Sequence, residues 1–122
     1  MVTKIKTAVL VSLLVFSAPG YSADENGLAN AIGISSCGEW VKERTADSVL
    51  SWQDKTWIAG YLTAYNRQTP DTWDIQGNTD IESIFLWLDK YCRENPLENL
   101  GGAMADLTEE LYPNRTVKRT NN

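Results

Sequence analysis

Few side chains in this 122-residue sequence can do chemistry, and they are two cysteines and sixteen carboxylates without a single histidine. Lacking histidine, the chain has neither the commonest general base nor the commonest metal ligand. Cys37 and Cys92 therefore have three readings. A zinc site needs about four ligands, usually histidine and cysteine. A cysteine nucleophile needs a neighbouring base, most often histidine. Neither requirement is met, so the pair reads as a disulfide closing a loop of about 55 residues. Among the carboxylates, Glu39 and Glu43 have the spacing of a helix surface beside Lys42 and Arg44. As an acid–base pair they lack every supporting group, and the chain is expected not to be an enzyme and to carry no cofactor or metal.

The elements that must position the cysteines are helical. "SSCGEWVKER" offers Ser36 with Glu39 as a capping box, which predicts a first helix over Cys37–Ala46. In "SWQDKTWIAGYLTAYNRQTP", Ser51 with Asp54 reads as an N-cap pair. Ile58, Tyr61, Leu62 and Tyr65 share one face, widened by Trp57 and Ala64, so a second helix is expected over Trp52–Asn66. Gly60 lies inside it, as a weak point or a place of close helix approach. "RQTPDTWDIQGN" is turn chemistry, with Trp73 and Ile75 expected to fold back onto the core. Thr79 with Glu82 reads as another capping box. The helix after it, ending at Asn95, carries Ile81, Ile84, Phe85, Leu88, Tyr91 and Cys92 on one face. Pro96 suits the first position of a fourth helix, expected over Pro96–Tyr112 with the stripe Leu97, Leu100, Met104, Leu107 and Leu111, weakened by Gly101 and Gly102. No segment has strand periodicity. The expectation is an all-α fold, a small four-helix bundle stapled by one disulfide.

The opening "MVTKIKTAVLVSLLVFSAPGYSADEN" has a basic start and an apolar run of about ten residues, too short for a span of about 20 and suited to a signal peptide. Residues 1–23 are assigned to it, with cleavage after Ser22 or after Ala23; an uncleaved anchor is the alternative. Residues 24–35 read as a flexible leader, 36–112 as the helical domain and 113–122 as a polar disordered tail. Removing Lys4 and Lys6 leaves nine bases against sixteen acids, about −7. Such a balance opposes nucleic-acid binding, which needs phosphates neutralised, and adhesion to anionic lipid; no membrane insertion is expected after cleavage. It suits a basic protein partner. Export and the disulfide together point to the periplasm.

In "DIQGNTDIESIFLWLDKYCREN" an Asp-Ile-Gln-Gly turn feeds an apolar helix ending in a cysteine about fifteen residues after the glycine, and "SCGEWV" opens an earlier helix on the other cysteine. This pattern resembles the HdeA/HdeB family of periplasmic acid-stress chaperones, over Ser36–Leu111. It is also similar to the fold-related Rap/Tai immunity proteins of type VI secretion. The chain differs from HdeA in its aromatic content and its leucine stripe. The resemblance implies a protein-binding role: an acid-stress chaperone holding client proteins, with a homodimer as its resting form. The alternative is an immunity or inhibitor protein that neutralises a secreted cell-wall-targeting effector. Under the first reading, acid removes about sixteen negative charges, given carboxylate pKa values near 4. Faces so exposed then hold clients while the disulfide keeps the chain compact. Composition allows that swing without demanding it.

Five tryptophans exceed what a core of this size needs. Either all serve packing or one or two lie on a partner face, and Trp52 and Trp73 are the candidates.

Overall fold

The computed structural model describes residues 33–117. The signal-peptide assignment and most of the leader fall outside these residues, as does the end of the tail. Four helices follow in order: α1 (Cys37–Ala46), α2 (Val49–Gln68), α3 (Ile81–Glu94) and α4 (Leu100–Leu111), then a 3-10 turn, Tyr112–Asn114. Among the described residues there is no strand, and the two β-bridges, Ser36 with Asn99 and Asp74 with Thr116, are isolated.

α1 begins where its capping box predicts. The Glu39 amide donates to Ser36 Oγ and the Ser36 amide donates to the Glu39 carboxylate. It ends at Asp47, which adopts the left-handed conformation (φ 47°, ψ 45°) that aspartate tolerates better than most residues. The other three starts differ from expectation. α2 is capped by Ser48, whose hydroxyl accepts from the Ser51 amide, so the helix begins a turn earlier than Trp52. α3 is capped by Asp80 rather than Thr79, because the carboxylate reaches the Ser83 amide at 2.7 Å. α4 is capped by Asn99, and Pro96 does not open it.

The reason for the late α4 start is long-range. The Cys37 amide donates to the Glu98 carbonyl at 2.8 Å and the Leu100 amide donates to the Ser35 carbonyl at 3.1 Å. These bonds hold residues 98–100 against the entry to α1 and keep Glu98 and Asn99 out of the helix. Leu97 then points away from the core and is fully exposed, at 100%, so the apolar stripe of α4 starts at Leu100. Gly101 and Gly102 fall in the first turn, not the middle, and Gly101 is buried beneath Ile34. The same bonds tie Ser35 to the bundle, and Ile34 packs on the core. The last residues of the expected leader are therefore part of the fold.

One core cluster draws on all four helices: Cys37 and Trp40, Ile58 and Leu62, Ile84, Phe85 and Leu88, and Leu100, Ala103, Met104 and Leu107, with Ile75 from the α2–α3 connection. Ile75 folds inward as expected, its amide donating to Asn66 Oδ1 at 2.7 Å. Trp73 does not; its side chain is exposed. Gly60 faces open space, so no helix approaches there, and Ala64 is exposed. The tail is ordered as far as it is described. Asp74 and Thr116 exchange backbone bonds, and the Trp73 amide also donates to Thr116. Gly77 (φ +57°) makes this docking possible, since a Cβ there would drive into the Asn114 carbonyl oxygen.

Cys37 and Cys92 are bonded, with Cα atoms 4.6 Å apart, joining the first residue of α1 to the last turn of α3. The sequence separation is 55, for which loop closure predicts about 4 kcal/mol of stabilisation. Reducing the bond, or replacing both cysteines with serine, is expected to lower the unfolding free energy in urea by about that amount. A loss below about 1 kcal/mol would mean that packing alone sets the α1–α3 geometry.

Candidate functional site

α2 is twenty residues long, but its buried positions are only Ser51, Asp54, Ile58 and Leu62. They follow the 3-4-4 spacing of one inward stripe. In the second half of the helix the stripe is apolar, as helix packing requires. In the first two turns it is Ser51 and Asp54, while Val49 (74% exposed), Leu50 (53%) and Trp52 (61%) face outward. The usual polarity of an amphipathic helix is thus reversed at the start of α2. Its cause is the tight α1–α2 reversal. Asp47 and Ser48 alone separate the helices, and the Ser48 hydroxyl donates to the Glu43 carboxylate. With the rotation of α2 fixed this way, the apolar residues that follow Ser48 have nowhere to go but out.

Two hollows flank this ridge. An open groove of about 450 Å³ runs past Val49, Trp52, Thr56 and Trp57. A more enclosed cleft of about 260 Å³ lies between Ile34, Ser35, Leu50, Asp54, Trp57 and Leu100. Gln53 and Trp57 border both. Beside Trp52, the Lys55 ammonium sits 4.5 Å from the indole and 5.5 Å from the Phe85 ring, a cation–π contact.

Asp54 is the unusual group here. It is 9% exposed; Oδ1 accepts from Ser35 Oγ at 2.8 Å, and Oδ2 is buried without a partner. Burial raises its pKa, the Ser35 bond opposes the rise, and the nearby charges of Glu39 and Glu43 add to it.

The two sequence candidates separate. Trp52 lies on the ridge and lines the groove, whereas Trp73 is exposed on the α2–α3 connection and lines neither hollow. Trp40 is in the core, and Trp57 and Trp87 are half-buried. Val49, Leu50 and Asp54 are not legible as site residues from a second helix expected to begin at Trp52, whereas the helix begins at Val49. Had the stripe been stepped back from Ile58 by four and then three residues, the polar pair would have fallen inside. The Glu39 and Glu43 carboxylates are engaged in helix capping, by Ser36 and Ser48 respectively.

A second carboxylate arrangement joins α3 to α4. Trp87 Nε1 donates to Glu110 at 3.0 Å, and the Tyr91 hydroxyl donates to Asp106 at 2.6 Å. Both pairs are spaced by four, so they form two rungs of an antiparallel ladder, with the Trp87 and Tyr91 rings stacked at 5.0 Å. The Asp106 bond pushes the Tyr91 hydroxyl up to about 12, with burial and the Asp106 charge contributing. Among the described residues, no helix is long and apolar enough to cross a membrane, and no three His, Cys, Asp or Glu side chains are grouped to hold a metal. Compared with protein-family models, curated proteins and solved structures, the chain matches none.

Asp54 sets a pH signature of definite sign. Its folded pKa lies above its unfolded value, so its contribution to stability is full below the unfolded pKa and is lost as pH rises through the folded one. Asp54→Asn is expected to raise the thermal midpoint at pH 7 and to leave it nearly unchanged at pH 3. Melting curves across that range check this, and a midpoint lowered at pH 7 would show that the carboxylate has a stabilising partner.

Proposed function

We propose that this is an exported, non-catalytic protein-binding protein of the periplasm, which docks a protein partner on the apolar ridge at the start of α2. One observation carries the reading: Val49, Leu50 and Trp52 face water while Ser51 and Asp54 face the core. A folded chain gains nothing from that arrangement by itself, since burying each of those outward side chains would be worth roughly 1.5–3 kcal/mol. A partner that covers them recovers that energy. Tryptophan is also among the residues that most often dominate binding hot spots.

The chemistry of the partner follows from what surrounds the ridge. Glu39, Glu43 and Asp47 recur every four residues along α1, which leads directly into it, and the whole chain carries a net charge of −5. A partner with a basic rim around an apolar centre is complementary. The disulfide supports work in an oxidising compartment. A basic cell-wall-degrading effector, neutralised one to one, is the partner implied by the similarity to immunity proteins; a second copy of this chain is the competing occupant.

With the oxidised chain as bait at pH 7, an envelope extract is expected to yield a stoichiometric partner. Trp52→Ala should lose it and Trp73→Ala should keep it. Retention by the Trp52 variant, or a dimer of the chain itself in light scattering that Trp52→Ala splits, would overturn the reading.

A second reading, the acid-stress chaperone, is favoured by the α3–α4 ladder. Its two acceptors are carboxylates, so protonation turns two charge-assisted bonds into weaker neutral ones. The disulfide meanwhile keeps α1 on α3 at any pH. α4 is thus the element that acid frees, and its inner face of Leu100, Ala103, Met104 and Leu107 would hold an unfolding client. The double variant Asp106→Asn, Glu110→Gln imitates protonation. It is expected to suppress aggregation of a client at pH 5, where the unsubstituted chain does not, and both should suppress it at pH 2.5. Absence of suppression by either protein at pH 2.5 ends this reading.

A further inference from the structure

The cleft beside the ridge contains an unsolved electrostatic problem. Asp54 is nine-tenths buried, lines the cleft, and has one oxygen, Oδ2, with no hydrogen-bond partner. Among the described residues, the ion pairs are Lys42 with Glu43 and Arg44 with Asp89, and neither involves Asp54. The nearest basic residue in sequence, Lys55, has its ammonium committed to the Trp52 and Phe85 rings. A buried carboxylate oxygen left unmatched is unfavourable, because it gives up its hydration without a protein donor in exchange. Asp54 lines a cleft bordered by the apolar ridge, and Oδ2 itself lies just beneath that surface, so an incoming group reaches it by displacing the side chains that cover it.

We propose that this cleft receives a lysine side chain of the docked protein partner, its ammonium taking Asp54 and its stem lying against Ile34, Leu50, Trp57 and Leu100. The inference rests on the partner-binding reading and deepens it, by naming the residue type at the centre of the contact. Charge selects a cation, since the acceptor is a carboxylate and the adjoining Glu39 and Glu43 add to the negative potential. Geometry selects lysine over arginine. A guanidinium presents a planar fork that is best matched by both oxygens of a carboxylate, but Oδ1 is already taken by Ser35 Oγ at 2.8 Å. One free oxygen suits a compact ammonium on a four-carbon apolar stem. The walls of the cleft supply the apolar surface that such a stem covers.

The test uses the full oxidised chain at pH 7, with Nα-acetyl-lysine amide as probe and the norleucine and arginine analogues for comparison. The readout is the amide NMR signals of Ser35, Leu50 and Gln53 with the Trp57 indole. Saturable shifts at millimolar lysine amide are expected, at least tenfold weaker with the norleucine or arginine analogue. Asp54→Asn should weaken lysine binding at least tenfold, while Trp73→Ala, which lies outside both hollows, should change it less than twofold. In the unsubstituted chain, the titration midpoint of the Asp54 carboxyl carbon should move to lower pH on saturation, a result independent of whether any variant folds. Equal binding of norleucine, equal or tighter binding of arginine, equal weakening by Trp73→Ala, or an unmoved Asp54 midpoint would each overturn the lysine site. Such results leave Trp52-dependent capture of a partner untouched. Loss of capture with the lysine titration intact would instead remove the ridge reading alone.

Discussion

The fold depends on how α1 is held to α3. Cys37 and Cys92 fix one end of that pair covalently. Two turns further along α1, the Arg44 guanidinium makes two bonds to Asp89, at 3.0 and 3.1 Å, while lying over the Trp40 and Phe85 rings at 5.3 and 5.6 Å. Arg44 is held more firmly protonated by the Asp89 bond, against the effect of burial. Half-buried bidentate pairs of this kind are stronger and more specific in geometry than exposed ones. Together the covalent and ionic contacts set both the spacing and the rotation of α1 on α3, with the Trp40–Phe85 contact between them at 6.1 Å. Everything else is attached to this pair. Ser35 and Cys37 bring the start of α4 to the disulfide-bonded end of α1, and the Asp47–Ser48 reversal launches α2 from its other end.

That hierarchy explains why α2 is the element with surplus apolar surface. It is the longest helix, yet its first turns are placed by the α1 cap rather than by its own hydrophobic face. A rotation that carried Val49 inward would expose Asp54. The α1–α2 reversal and the burial of Ile58 and Leu62 together fix a different rotation, so the first two turns carry an arrangement that opposes local preference. Local conflict of this sort, where the rest of the fold is consistent, is the pattern expected at functional surfaces.

The same distinction separates what could be read in the sequence from what could not. Helix order, the disulfide and the α1 boundaries rest on near neighbours: a Ser36–Glu39 box, apolar periodicity, two cysteines. The α3 start was off by one residue because Thr79 and Asp80 are both good caps, and only the observed reach of Asp80 to Ser83 decides between them. The α4 start was off by several because Pro96 is locally a fine first residue. What overrides it is pairing with Ser35 and Cys37, sixty residues away in the chain. Trp52 was legible as a surplus aromatic outside the packing pattern. Asp54 was not, since an acidic residue near a helix start ordinarily reads as a cap, and its burial depends on where Ser35 and Leu100 come to rest.

Acid acts on this molecule in opposing directions, and the opposition is spatially sorted. Protonation weakens the Asp80 cap, whose bonds to Ser83 hold its pKa below the usual carboxylate value; that contribution is present above the unfolded pKa and fades as pH falls through the folded one. Protonation of Asp54 does the reverse, relieving an unmatched buried charge where Ser35 meets α2. Falling pH therefore weakens the start of α3 while it settles α2 against the entry to α1. The disulfide ties that entry, through Cys37, to the far end of α3, and it holds whichever way these two carboxylates titrate. A melting curve sums the two contributions, and a probe local to Asp54 or Asp80 separates them.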